Sequence, residues 1–379
     1  MIYLDYASTA PIDARVAAKM FHFLTKAGAF GNPSSQHGFG KPARLAVEAA
    51  RREVASLFNA KPECLIWTSG ATESNNLAIK GVAEFYQRRG RHIITSQTEH
   101  RSVLDVCTYL MQRGFEVTFL KPTGEGIIEP EMVQNAFRDD TILVSLMHVN
   151  NEIGVIQDIQ KIAQLTRERG ILFHVDAVQS TGKLHIDLTK WPIDLMSFSA
   201  HKLYGPKGIG ALYVCDNPKA RLSPLFHGSG QEQNLRSGTL PTHQIVGMGE
   251  AYRIAKEEMP LELTRLQSLQ NLFWEQLRDL PGVYLNGHPT QRVPTVLNLR
   301  FENIEKEHLM QDLESLAFST SAACTAGNHL ETSHVLRAMG LHNELAYRSY
   351  RFSFGRDTTE AEINQAVLLI QQSHRERRK

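Results

Sequence analysis

Residues 171–214 read ILFHVDAVQSTGKLHIDLTKWPIDLMSFSAHKLYGPKGIGALYV. Two short apolar runs, ILFHVDAV and IDLMSFS, are built from Ile, Leu, Val and Phe and end on polar residues. GIGALYV, after the Gly-Pro-Lys-Gly turn, reads as one further strand. Upstream, ECLIWTS, RHIITS, FEVTFL and TILVSLMHV repeat the pattern. Between them, ESNNLAIKGVAEFYQRRG and IQKIAQLTRERG carry apolar residues at helical spacing and close on glycine. This alternation over residues 60–215 predicts an α/β fold, a mostly parallel sheet covered by helices on both faces. In such sheets a ligand sits beyond the carboxyl ends of the strands.

From about residue 255 the pattern changes. A long helix near 260–280 leads to TVLNLRF, a helix near 305–316, the segment FSTSAACTAGN, then SHVLRAMG, the strand-like YRFSF and a final helix. Thr359 and Glu362 have capping-box spacing at the start of that helix. The expected organisation is a large domain over residues 15–255 and a smaller α+β domain built from 1–14 and 256–379.

The chain has 379 residues, 42% hydrophobic and 21% charged, a globular mix long enough for two domains. Its 41 Lys and Arg nearly cancel 40 Asp and Glu, so nucleic acid and anionic membranes are not expected as main partners. The basic end, His374 to Lys379, reads as a solvated terminus. MIYLDYASTAP has no basic start followed by an apolar run, and no stretch approaches the ~20 apolar residues of a membrane helix. Cys64, Cys107, Cys215 and Cys324 lie far apart, with no C-x-x-C pair and no zinc-finger spacing. A reducing cytoplasm and no structural metal are expected.

The chemistry-bearing residues gather at predicted strand ends. Lys202 directly follows the strand DLMSFS, where an isolated ammonium is costly if buried. A Schiff base to an aldehyde cofactor would remove that cost; a lysine snorkelling out of a turn is the plainer alternative, and prevails for Lys202 taken alone. Lys207, between Pro206 and Gly208, reads as an exposed turn residue. Asp176 ends HVD, where it either pairs with a protonated pyridine nitrogen or caps a helix. Gly70, Ala71 and Thr72 open a helix after LIWTS and present N–H groups to an anion, a common helix start in any case. His100, after the next strand, has the shape to lie on a cofactor ring, though a lone histidine there is more often structural.

Taken in order, these motifs resemble the IscS/NifS type of cysteine desulfurase, in the class V aminotransferase fold (pyridoxal-phosphate-dependent, fold type I). The resemblance runs almost end to end, through LDYASTAP, FGNPSSQHGFG, SGATESNNLAIKG, TEHRSV, HVNNEIGVIQDI, HVDAVQSTGK, DLMSFSAHKLYGPKGIGALYV, RSGTLPTHQIVGMGEAYRIAKEEM, AACTAG and RFSFGRDTTEAEI. It implies pyridoxal 5′-phosphate on Lys202, His100 stacked on its ring and Asp176 paired with its nitrogen. Asn151 and Gln179 would orient the ring and its phenolic oxygen, while Ala71, Thr72, Ser199 and His201 hold the phosphate. Thr239 would reach the phosphate from the other subunit, which implies a homodimer. Arg351, helped by Asn32, would grip the carboxylate of L-cysteine through paired hydrogen bonds.

Cys324 would be the nucleophile, taking the substrate sulfur as a persulfide and leaving alanine, on a segment whose Ser, Thr, Ala and Gly content predicts mobility. Read without the family, it is a small buried hydrophobe, as Cys64, Cys107 and Cys215 are expected to be. The sulfur would pass to an iron–sulfur scaffold, a tRNA-thiolation relay or another carrier. Two departures stand out. Ser321 and Ala322 replace the Gly then Ser common in IscS-type chains, removing backbone freedom. The docking tail of those chains has no counterpart before Lys379, so scaffold docking by that route is not expected. Selenocysteine lyases and small-amino-acid aminotransferases share Lys202 and Asp176 but have less need of Cys324. A sulfur carrier that had lost catalysis would show damage at Lys202, His100 or Arg351, and none is seen.

Overall fold

The computed structural model describes residues 1–216, 219–320 and 332–377. Its first half runs β1 (Ile2–Tyr3), α1 (Ala14–Phe21), α2 (Gly40–Ser56), β2 (Leu65–Thr68), α3 (Ala71–Tyr86), β3 (His92–Ser96), α4 (Arg101–Met111), β4 (Glu116–Leu120), α5 (Pro130–Asn135), β5 (Thr141–Met147), α6 (Ile159–Glu168), β6 (Leu172–Asp176), β7 (Leu195–Ser199) and β8 (Gly210–Val214). Strands β2 to β8 form one sheet in the order β2-β8-β7-β6-β5-β3-β4. All pairs are parallel except those of β8, which runs against both β2 and β7.

Period-two alternation sorts the side chains of this sheet onto two covered faces. Leu65 and Trp67 of β2, with Ala211 and Tyr213 of β8, join a core shared with α1, α2, α6 and the long helix Thr242–Glu275. Ile66, Leu212 and Val214 point the other way, onto Leu77 and Val82 of α3 and Val103, Val106 and Leu110 of α4. Phe58 stacks on Phe198 at 4.4 Å, with Tyr252 edge-on at 6.1 Å, directly beneath the end of β7. Cys64, Cys107 and Cys215 are buried.

The second half runs α7 (Thr242–Glu275), β9 (Val283–Asn286), β10 (Val296–Phe301), α8 (Lys306–Asp312), β11 (Leu316–Ala317), β12 (Ser319–Thr320), α9 (His334–Ala338), α10 (Asn343–Tyr347), β13 (Ser349–Ser353) and α11 (Glu360–Arg377). An antiparallel sheet in the order β12-β13-β10-β9 packs on α7 and α11 around Phe273, Leu299, Phe352 and Val367, and Ile2 and Leu4 of the N-terminus join it. The capping box at α11 forms: Thr359 and Glu362 exchange hydrogen bonds at 2.8 and 3.2 Å.

One expectation needs correcting. The helix read at 260–280 starts at Thr242 and passes without a break through Pro260. Gly247 and Gly249 resemble breakers, but α7 lies against α2 so closely that a Cβ on Gly249 would meet the Ala50 Cα at 2.7 Å. Residues 245–255 of α7 pack in the large core and 266–273 in the smaller one, so a single helix serves both. No described helix is long and apolar enough to cross a membrane.

The Gly249 contact is testable. Gly249→Ala gains about 1 kcal/mol of helix propensity, yet it must wedge α7 off α2 at a cost of about 1–3 kcal/mol. A lowered thermal midpoint is expected; a raised one would show that the close approach constrains nothing.

Candidate active site

Register brings the functional side chains to one edge. Met147 of β5 pairs with Asp176 of β6, and Asp176 with Ser197 of β7, so β5 and β6 end level and β7 runs on past them to Ser199. Beyond that edge opens a cavity of about 530 Å³.

Lys202 lines the cavity from the turn after β7. Among the described residues no hydrogen bond or ion pair reaches its Nζ. Burial pulls its amine down to about 8, against the opposing field of Asp176. Asp176 is buried and faces the same cavity. Its Oδ1 accepts from the Val178 N–H at 3.0 Å and its Oδ2 from Asn75 Nδ2 at 2.8 Å. Among the described residues no cation lies within ion-pair distance of this carboxylate. Among the described residues, a half-buried amine with no partner and a buried carboxylate with no cation mark a site completed by something else.

His100 caps α4. The Ser102 N–H donates to its Nδ1 at 3.1 Å, so Nδ1 is unprotonated and the neutral ring carries its proton on Nε2. Burial lowers its pKa and favours that neutral form. The Asn75 amide donates at 2.8 Å to both Ser102 Oγ and Asp176 Oδ2, tying histidine and carboxylate into one network. Neither Asn75 nor Ser102 stands out in the sequence. The available signal is spacing alone, since each lies in the first turns of a helix that opens at the strand edge.

An anion cradle adjoins Lys202. Ala71 and Thr72 line the cavity at the start of α3, preceded by Gly70 at φ +151° with open space where a Cβ would stand. That helix start is drawn tight against β8, because a Cβ on Gly210 would meet the Gly70 Cα at 2.8 Å. Ser199 and His201 complete the wall. His201 Nδ1 lies 3.2 Å from Thr9 Oγ1, and burial, then the nearby Lys202 and Lys207, push its pKa down to about 4. Its ring is therefore neutral near pH 7. Lys207 is exposed, as its turn predicts, at the cavity mouth. Asn151 and Gln179 also line the cavity.

Three expected residues stand outside this wall. Alternation along β13 turns Tyr350 and Phe352 into the smaller core and Arg351 away from it. Arg351 lies behind the cavity: Nη1 donates to the Asn151 carbonyl at 2.8 Å, and Nη2 to Ser8 Oγ at 2.6 Å. Its charge is already met by Asp5 at 2.9 Å. Asn32 is exposed, its Oδ1 accepting from the Ser34 N–H at 2.9 Å. Thr239 is exposed and does not line the cavity of its own chain. Cys324, with Ser321 and Ala322, lies outside the described residues.

With this geometry in view, comparison with known proteins is decisive. The model of the family "Aminotransferase class-V" matches residues 2–366. The chain belongs to that family. It is 58% identical over 373 residues to the cysteine desulfurase IscS of Cronobacter sakazakii, covering 98% of this chain and 92% of the relative. Among solved structures, a NifS-like protein superimposes with a TM-score of 0.90 at 35% identity, covering 98% of each chain. SspA in complex with cysteine superimposes with a TM-score of 0.84 at 39% identity, over 93% of this chain and 99% of SspA.

The Lys202 amine makes a direct prediction. Only its neutral form attacks a carbonyl, so capture of an added aldehyde by cofactor-free protein should rise with pH through about 8. Asp176→Asn removes the charge that raises this pKa and should move the midpoint lower. A midpoint near that of an ordinary lysine would contradict the burial argument.

Proposed function

We propose that this chain is a pyridoxal 5′-phosphate-dependent cysteine desulfurase that converts L-cysteine to L-alanine and takes the sulfur onto Cys324. The carrying observation is the meeting of Lys202, Asp176 and the α3 N-terminus at one sheet edge. These donors match the three ends of the cofactor: an amine for its aldehyde, a carboxylate for its ring nitrogen, and helix N–H groups for its phosphate.

Each group has a proposed task. Ala71, Thr72, Ser199 and His201 hold the phosphate; Asn151 and Gln179 orient the ring; His100 covers its face. When bound, the cofactor supplies an electron sink for charge developing at the substrate Cα, and Asp176 keeps its nitrogen protonated. Lys202, with an amine already tuned near neutrality, would serve as the base that takes the Cα proton of the bound substrate. Arg351 receives the substrate carboxylate, with Asn32 alongside. The Cys324 thiolate attacks the substrate sulfur: an S–S bond forms, the Cβ–S bond breaks, and its electron pair is finally protonated to make the alanine methyl group. No outside oxidant is needed, since Cys324 ends as a persulfide and the substrate as alanine.

The exposed position of Thr239 supports a homodimer in which it completes the partner's phosphate site. The division of α7 between two cores supports domains over 15–255 and over 1–14 with 256–379. The expected setting is the cytoplasm. The sulfur acceptor is a protein for iron–sulfur assembly or tRNA thiolation.

The test supplies L-cysteine with a reductant and measures alanine and sulfide together. Equal amounts are expected, and Lys202→Ala should abolish both along with the visible band of the protein. Cys324→Ala should keep the band but release neither product. Formation of a keto acid would indicate transamination instead, and normal turnover by Cys324→Ala would sink the persulfide route.

A further inference from the structure

Behind Lys202 lies a second, half-buried amine that the mechanism does not use. Lys183 follows the tight turn after β6, where Lys183 N–H and Leu184 N–H both donate to the Ser180 carbonyl at 2.9 Å. Gly182 adopts φ +68°, and a Cβ there would meet Leu203 Cδ1 at 2.2 Å, so the turn is pressed against the loop that carries Lys202. The turn brings the side chains of Gln179 and Lys183 together. Lys183 Nζ donates to Gln179 Oε1 at 2.9 Å, and Gln179 Nε2 donates to the Ala7 carbonyl at 2.9 Å.

The direction of that amide is set by the groups around it. In its charged form Lys183 has three N–H groups and no acceptor, so that form takes only the oxygen end of the glutamine as its partner. A backbone carbonyl accepts only from the nitrogen end. The two clamps agree, and among the described residues they leave the second N–H of Gln179 Nε2 without a partner beside the cavity that Gln179 lines. We propose that Lys183 is a positioning residue for the cofactor site, holding the Gln179 amide so that an N–H donor, rather than the carbonyl oxygen, faces the cofactor's phenolic oxygen. This rests on the cofactor assignment above.

The charged and titratable groups facing Lys183 are few. Lys202 and Arg351 repel its charge, Glu262 attracts it, and burial pulls its amine down to about 7. Tyr6 and Tyr204 share the small cavity beside it, and burial raises the pKa of both, so they remain neutral. Asp176, Asp5 and Arg351 act on Lys202 itself. All these groups are unchanged when Lys183 alone is replaced, so a comparison of variants isolates its effect.

The experiment uses the holoenzyme and needs no turnover. The visible band of the cofactor linked through Lys202 is followed against pH in the parent, Lys183→Met, Lys183→Arg, Gln179→Leu and the Lys183→Met/Gln179→Leu double variant. Losing a donor to the phenolic oxygen, and a cation nearby, both favour the protonated linkage, so Lys183→Met should raise the midpoint by about one unit. Lys183→Arg keeps donor and charge and should restore the parent value. In the Gln179→Leu background, adding Lys183→Met should move the midpoint by much less, because the two residues act through one amide. Lys183→Ala removes the same donor and should give the same shift, so the outcome does not hang on one variant folding. An unmoved midpoint, or a full shift without Gln179, overturns the proposal. A parent protein with no visible band would instead refute the cofactor assignment.

Discussion

Everything at this site turns on a carboxylate and an amine that are withdrawn from water yet not paired with each other. Asp176 and Lys202 face one cavity, and the charge of Asp176 reaches the Lys202 amine as a field rather than as a contact. Two buried opposite charges would lower their cost by closing into an ion pair. Here the sheet prevents it. Asp176 is held by the Val178 N–H and by Asn75, while Lys202 is placed by the turn beyond β7. The separation leaves room for a flat molecule that meets both.

That separation needs a rigid floor. The register of β5, β6 and β7 supplies it, with the Phe58–Phe198 stack and Tyr252 packed beneath. Tyr252 also donates its hydroxyl to the Ser199 carbonyl at 3.1 Å, pinning the strand end from which Lys202 departs. The Asn75–Ser102–His100 chain then fixes a neutral imidazole on the same wall. Arg351 is treated differently: it arrives from the smaller sheet and is held by Asp5, so the substrate carboxylate proposed for it would have to compete with an existing anion. The residues proposed for substrate and those proposed for cofactor thus come from different layers of the fold.

Much of this is legible in the sequence because short apolar strands ending in polar residues leave a strong local signal. HVD and SFSAHK announce both the strands and the edge where their chemistry sits. Contacts between distant segments are not legible. The pairing of Arg351 with Asp5 joins residues 346 positions apart, and nothing in LDYASTAP marks its aspartate as a counter-ion. The glycines of α7 mislead for a related reason, since their value lies in the approach of α2. Lys183 carries a faint local cue, four residues after Gln179, but its meaning depends on which end of an amide faces which neighbour. Thr239 and Cys324 gain their expected roles from family resemblance, because neither has a distinctive chemical setting in its own stretch of chain.

Lys202, and not Lys183 or Lys207, is proposed to hold the cofactor at this edge. The most direct measurement is borohydride reduction of the holoenzyme and then peptide mapping, which locks the cofactor onto its lysine. The account predicts the label on the peptide carrying Lys202 and on no other. A label on Lys183 or Lys207, or none at all, would contradict it.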